Sequence, residues 1–338
     1  AAGMLRDGAA QHAPNTADAA AQGGAADAFA KAQKAAKAKA DSGDLDGALG
    51  ELDGVAKECA KYAPYQAYRG DLNLQLAKQA RDAGRKGVEF LFADAVNALK
   101  KAVELDSDPV APRRMLAEAQ YESGDLAAAA QTASQLLLHM QSQGGGKPDE
   151  VAAVHLIRAN AAARAYAAKK GDGGDDADML TAARASFRVL EQQDRLDAAL
   201  RSLWSVTEQW AGAPAEAVNV YVRALAKNPD DQALLASVVD TAAAQSQLAL
   251  AVDALKDRSD ATGLWYLGRA RYLLADSERQ SGSSDKAQAL LDQARSAFTD
   301  SMGKNAGYRD SCEQWVAMCL GKKGNIAFFA KDLDNAEK

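Results

Sequence analysis

From Ala26 onward apolar residues recur at three- and four-residue steps, broken at short intervals by Gly, Asp, Asn or Pro. That spacing puts one apolar stripe on each segment and predicts a succession of helices. Val, Ile and Thr are sparse and never run in alternating blocks, so no strand is predicted. Residues 1–25, small, polar and without period, are expected to be a flexible leader or tether ahead of one helical domain over 26–338.

A phrase recurs within the helical pattern. It reads GDLDGA at 43–48 and GDLAAA at 124–129, with looser copies ending at Ala95, Ala183, Ala217, Ala251, Ala287 and Ala336. Ala95 to Ala129, Ala183 to Ala217 and Ala217 to Ala251 are each 34 residues apart; Ala251 to Ala287 is 36, and the other gaps of 47, 54 and 49 read as one repeat plus an insertion. Three residues before the alanine stands Leu45, Phe92, Leu126, Leu180, Pro214, Leu248 or Leu333. Four residues after it stands Leu52, Leu99, Phe187, Tyr221, Leu255 or Leu291. A small residue where two helices cross lets their backbones approach, and the large neighbours fill the gap beside it. Gly accepts positive φ at the turn and Asp bonds its own backbone. Such pairs bury their stripes only against the next pair, so stability accrues by stacking.

The 34-residue step resembles the tetratricopeptide repeat (TPR). The best copy runs over 198–231, with Trp204, Gly212, Ala217, Tyr221 and Pro229 in place. The resemblance implies an all-α fold: a right-handed α-solenoid of stacked antiparallel helix pairs, about seven to eight repeats. An extended first helix or a loop is expected in the gap holding GRKG (84–87), loops at QGGGKP (143–148) and GDGGDDAD (171–178), and longer helices or an extra one around 307–322. LGKKGNIAFFAKDLDNA (320–336) resembles the family's first helix and turn, which reads as a last, incomplete repeat.

The resemblance also implies a concave groove, lined by the first helices of successive repeats, that takes extended or helical peptides. Carried over by phase, the groove positions are Arg114, Glu118 and Tyr121; then Ser202, Val206, Gln209 and Trp210; then Trp265, Arg269 and Tyr272. Trp, Tyr and Arg combine large contact area with a polar handle. Trp265 and Tyr272 equally suit the core between repeats. At least three of Arg114, Tyr121, Trp210, Trp265 and Arg269 are expected to share one exposed groove. The Lys–Asn clamp of members that bind acidic chaperone tails is absent: those places hold Gln33 and Lys37, Arg114 and Glu118, Ser202 and Val206.

Composition narrows the alternatives. Across 338 residues 48% are hydrophobic but only 6% aromatic, so close-packed helices rather than bulky side chains must make the core. The net charge is −6, and no basic block offers a nucleic-acid footprint; Lys100-Lys101, Lys169-Lys170 and Lys322-Lys323 read as solvated faces. Cys59, Cys312 and Cys319 read as small buried residues. His12, His139 and His155 lie too far apart in sequence to suggest a metal set, and His139 and His155 are expected on helix surfaces. The acidic loop holding Asp172, Asp175, Asp176 and Asp178 is either a solvated insertion or a weak cation site, because EF-hand order fails at Gly174 and Ala183. Phosphate-loop, dinucleotide and nucleophile motifs are missing, and no run of about 18 apolar residues offers a membrane span.

The chain starts without Met, which reads as processing or trimming. Compartment is therefore left open, a soluble protein either cytoplasmic or exported. The reading is a non-catalytic, cofactor-free protein–protein interaction scaffold whose partner is another protein or peptide. Its alternatives are a structural subunit of a larger envelope or multiprotein assembly, and a helical accessory region of a larger regulatory protein.

Overall fold

The computed structural model describes residues 16–106 and 108–336, with side chains described between 23 and 329. In chain order the helices are α1 (Thr16–Asp41), α2 (Leu45–Asp53), α3 (Ala63–Asp82), α4 (Val88–Leu105), α5 (Val110–Glu122), α6 (Leu126–Ser142), α7 (Pro148–Gly171) and α8 (Ala177–Gln192). They continue with α9 (Ala198–Trp210), α10 (Pro214–Lys227), α11 (Gln232–Ala244), α12 (Leu248–Leu255), α13 (Ala261–Gln280), α14 (Ser284–Lys304), a 3-10 turn (Ala306–Tyr308) and α15 (Arg309–Ala336). No strand occurs among the described residues. The chain divides into two compact units, Ala1–Arg195 and Leu196–Lys338.

Each unit is a stack of helix pairs. Seven of the eight alanines that set the sequence phase (48, 95, 129, 183, 217, 251 and 287) are fully buried, each in the first half of a second helix, and the side chain of Ala336 lies outside the described residues. Seven turns join first to second helices in the described residues. Each has at least one residue in the left-handed region: Gly43, Gly84 with Gly87, Gly124, Gly173, Gly212, Ser246 or Gly282. At the GDL turn, Gly124 N donates to Tyr121 O at 3.1 Å and Asp125 N to Gln120 O at 2.9 Å. These bonds satisfy the last carbonyls of α5 as a Schellman cap. Asp125 then caps α6 by accepting from Ala128 N, as Asp44 caps α2 by accepting from Gly47 N.

Core clusters follow the stacking. In the first unit one cluster joins α1, α2 and α3 around Phe29, Leu52 and Tyr65; another joins α3, α4 and α5 around Leu74, Leu99 and Leu116; a third joins α5, α6 and α7 around Leu136 and Val154. In the second unit, clusters join α10 through α13 around Leu235 and Leu255, and α13 through α15 around Leu291, Phe298 and Cys319. Two first helices approach their second helices most closely through glycine. A Cβ added at Gly268 would lie 2.8 Å from the Phe298 ring, and one at Gly70 2.5 Å from Leu99 Cγ.

The structure corrects several expectations. Part of the supposed leader is helical, since α1 begins at Thr16, and Ala25 is buried with its carbonyl accepting from Cys59 Sγ at 3.4 Å. Residues 1–15 lie outside the described residues. The 47-residue gap is taken up by an extended first helix, α3 with 20 residues, and the 49-residue gap by α14 with 21 and α15 with 28, as expected; the 54-residue gap, expected as loops, is taken up largely by α7 with 24, against 13 in α5, α9 and α11. No helix–turn stands at 320–336, because α15 runs unbroken from Arg309 to Ala336.

Lys322 and Lys323 are half-buried and ion-paired rather than on an open solvated face. Lys322 Nζ sits 2.8 Å from Asp276 and 3.9 Å from the Tyr272 ring centre, and Lys323 pairs with Asp292 at 2.5 Å. All three cysteines are free and buried, as their type suggested. Among the described residues no helix is long and apolar enough to cross a membrane.

Candidate functional site

Three first helices of the first unit lie side by side, α3 against α5 and α5 against α7. On α5, Arg114, Glu118 and Tyr121 fall at four- and three-residue steps and so share one face. All three are half-buried. With Glu122 and with Ala153, Leu156, Ile157 and Asn160 of α7 they bound a crevice of about 330 Å³. One rim is tied down by ions from α3. Lys78 Nζ reaches Glu118 at 2.5 Å and Glu122 at 3.8 Å, and Arg81 pairs with Glu122. The other rim carries Arg164, whose guanidinium lies 5.8 Å from the Tyr121 ring centre.

Charge in this crevice is partly uncompensated. Asp71 of α3 has its carboxyl pushed above the usual range, first by burial and further by Glu118; a hydrogen bond from Gln75 and the charges of Lys78 and Arg114 oppose the shift. Arg114 has no ion-pair partner among the described residues. The crevice therefore offers the Arg114 guanidinium, the Tyr121 phenol-bearing ring, the Asn160 amide and an apolar floor at Leu156 and Ile157. Leu156 is 42% exposed, the kind of open apolar position that marks a contact surface when polar groups rim it.

The second unit treats its candidates differently. On α9, Trp210 is 47% and Val206 39% exposed, with Ser202 open and Gln209 half-buried. On α13, Arg269 is spent on an ion pair with Asp240 of α11 at 2.6 Å. Trp265 and Tyr272 are core rather than contact. Tyr272 is 7% exposed and sits edge-on to Trp315 of α15 at 5.1 Å between ring centres. Trp265 is edge-on to Trp315 at 6.3 Å and donates from Nε1 to Ser311 Oγ at 3.0 Å. The cause is α15, which stacks on α13 and needs the aromatic area that α13 presents. Of the five residues expected in one groove, the first unit brings Arg114 and Tyr121 together, and Trp265 is withdrawn.

Phase arithmetic missed α7. Its Leu156, Ile157 and Asn160 fall in the 54-residue gap, where the long helix has no repeat landmark. The signal that was readable is an apolar Leu-Ile pair on a helix buried mainly through alanine, with Val154 and Tyr166. The acidic loop is resolved as a turn: Asp176 accepts from Met179 N at 3.1 Å to cap α8, and Asp175 pairs with Lys170 at 3.1 Å. No group of three or more His, Cys, Asp or Glu fit to hold a metal occurs among the described residues.

The tetratricopeptide repeat family model matches residues 90–144, which spans most of α4 and all of α5 and α6. No curated protein matches the chain. Similar solved structures include a tetratricopeptide repeat protein from Parabacteroides merdae (14% identity, 87% of this chain and 99% of that one, TM-score 0.41). Others are MamA (18% identity, 60% and 93%, TM-score 0.41) and YrrB, described as a TPR protein with an unusual peptide-binding site (17% identity, 63% and 99%, TM-score 0.34). The chain carries tetratricopeptide-repeat sequence at 90–144, and the helix pairs on either side repeat that architecture.

Proposed function

We propose that the chain is a non-catalytic interaction scaffold that holds a peptide segment of another protein in the α5–α7 crevice. Tetratricopeptide architecture supports protein-interaction scaffolds generally, but a fold alone does not assign a site. The observation that carries the reading is the unpaired Arg114 beside Tyr121, above the open apolar floor of Leu156 and Ile157. A guanidinium recognises a carboxylate through two parallel hydrogen bonds, and an aromatic ring beside it supplies rigid contact area. The segment it suits is short, with an acidic residue next to one or two apolar ones.

The test selects peptides from a displayed random library against the full chain, with an Arg114→Glu/Tyr121→Ala variant as counter-selection. Fluorescence anisotropy then measures the selected peptides on both proteins. The expected result is a loss of about tenfold or more in the variant, the scale of one charge-assisted hydrogen bond, with an unchanged melting curve. Equal affinity for both proteins would contradict the reading.

A second reading, a subunit held in an assembly by its edge, is favoured by one observation: α15 exposes Met318, Leu320, Phe328 and Phe329. Light scattering at working concentration tests it, and a monomer at all concentrations argues against it.

A further inference from the structure

The far side of α7 carries a second feature. At 100° per residue, Val151, His155 and Arg158 lie about half a turn round from the residues that face α5. They line a separate cavity of about 420 Å³, whose other wall is α6, with Leu137, Leu138 and Met140. Among the described residues Arg158 is anchored at one point: its Nε donates to Ser186 Oγ of α8 at 2.6 Å. The same hydroxyl, fully buried, lies 3.2 Å from His155 Nδ1. Ser186 thus fixes the guanidinium and leaves its two terminal nitrogens without a protein acceptor among the described residues. Those nitrogens are not sealed off, since the sealed orphan atoms are Arg201 Nε and Arg271 Nε.

A half-buried charge without a counter-ion is costly, and burial lowers the pKa of Arg158 with no neighbouring carboxylate opposing it. His155 adds no second charge. Burial first, and then Arg158, holds its pKa down to about 4, so its ring is neutral at physiological pH. The cavity therefore offers a single positive fork in a mainly apolar wall. A monoanion with an apolar body fits that balance; a dianion does not.

We propose that this cavity binds a small amphipathic carboxylate, paired two-pronged with the terminal nitrogens of Arg158 and laid along Leu137, Leu138 and Met140. Planar guanidinium and carboxylate match in such a pair, and the apolar wall selects against small hydrophilic anions. The site is distinct from the α5–α7 crevice and does not rest on its role.

Octanoate is the probe, titrated into the full chain by calorimetry and followed by the Arg158 Nε resonance. Acetate and octanol are the controls. The expected result is saturable one-to-one binding that moves that resonance, with both controls at least about tenfold weaker. Arg158→Gln should weaken octanoate by about the same factor, its fold checked by circular dichroism and melting. Leu138→Glu keeps the question answerable if that variant unfolds: Leu138 is 66% exposed, so the change spares the fold and places a repelling charge on the wall. The Arg114→Glu/Tyr121→Ala variant should bind octanoate as the parent does. Absence of saturable binding, unaltered affinity in Leu138→Glu or in folded Arg158→Gln, equal binding of acetate or octanol, or loss in the crevice variant would each overturn the proposal.

Discussion

In the first unit, the face of α5 turned toward α7 carries Arg114, Glu118 and Tyr121, and a crevice stays open between the two helices. In the second unit, the face of α13 turned toward α15 carries Trp265 and Tyr272, and the space is filled by Trp315. The helix-pair architecture is shared, and the opposing helix makes the difference. Toward α5, α7 offers Ala153, Ile157 and Asn160, too small to close the gap. Toward α13 and α14, α15 offers Trp315 and the buried Cys312 and Cys319. An aromatic residue on a first helix is therefore core or contact according to what its neighbour brings.

The closed junction is the more sensitive to substitution. Phe298, fully buried and stacked on Trp315 at 5.5 Å, is its centre. Phe298→Ala should cost about 3–5 kcal/mol, read by urea melting, with hydrogen exchange locating the loss in α13, α14 and α15. Protection lost equally in α3 to α7 would erase the contrast between the regions. Gly268→Ala follows at about 1–3 kcal/mol, since its Cβ would press on the Phe298 ring. A neutral result would mean that this crossing is looser than its geometry.

His155 gives the first unit its own signature. Its folded pKa of about 4 lies below the unfolded value near 6.5, so the unfolded chain binds the extra proton between those limits. Stability is full above pH 6.5, falls as pH drops toward 4, and levels off below. The loss is on the order of 1 kcal/mol once solvent screening of this half-exposed ring is allowed for. His155→Gln should flatten melting temperature against pH in that window; an unchanged slope would place the ring in water.

Ser246 holds φ of 55° where the other pair-closing turns hold glycine. Ser246→Gly should raise stability by up to about 1 kcal/mol, by relieving the left-handed strain. Smallest is Arg114→Ala, expected to shift stability by no more than about 0.5 kcal/mol while weakening partner binding. A large melting shift there would make Arg114 structural and the crevice merely part of the stack.

The repeat was legible because its physics is local. Gly124-Asp125 and Ala129 sit where backbone strain and close approach leave few residue types, and the buried alanines kept the phase that their spacing gave. The site was less legible because it depends on pairs of helices far apart in sequence. Tyr272 and Tyr121 look alike on their own helices; only Trp315, more than 40 residues beyond Tyr272, separates their roles. Long helices hid the rest. Leu156 and Asn160 lie on α7, where the period breaks, and His155 is half-buried rather than on the surface because of Ser186, which nothing in its own segment announces. At the C-terminal end the 49-residue gap announces long helices, and α15 supplies one; only the turn that 320–336 resembles is absent, because the helix continues through Gly321 and Gly324.

The central claim is that α5 and α7 together hold a partner segment. Hydrogen–deuterium exchange of the full chain, with and without a library-selected peptide at saturation, tests it most directly. Slowed exchange concentrated in Val110–Glu122 and Pro148–Gly171, and absent from both in the Arg114→Glu/Tyr121→Ala variant, is the expected result. Protection confined to Ala261–Gln280 and Arg309–Ala336, or none anywhere at saturation, would contradict the account.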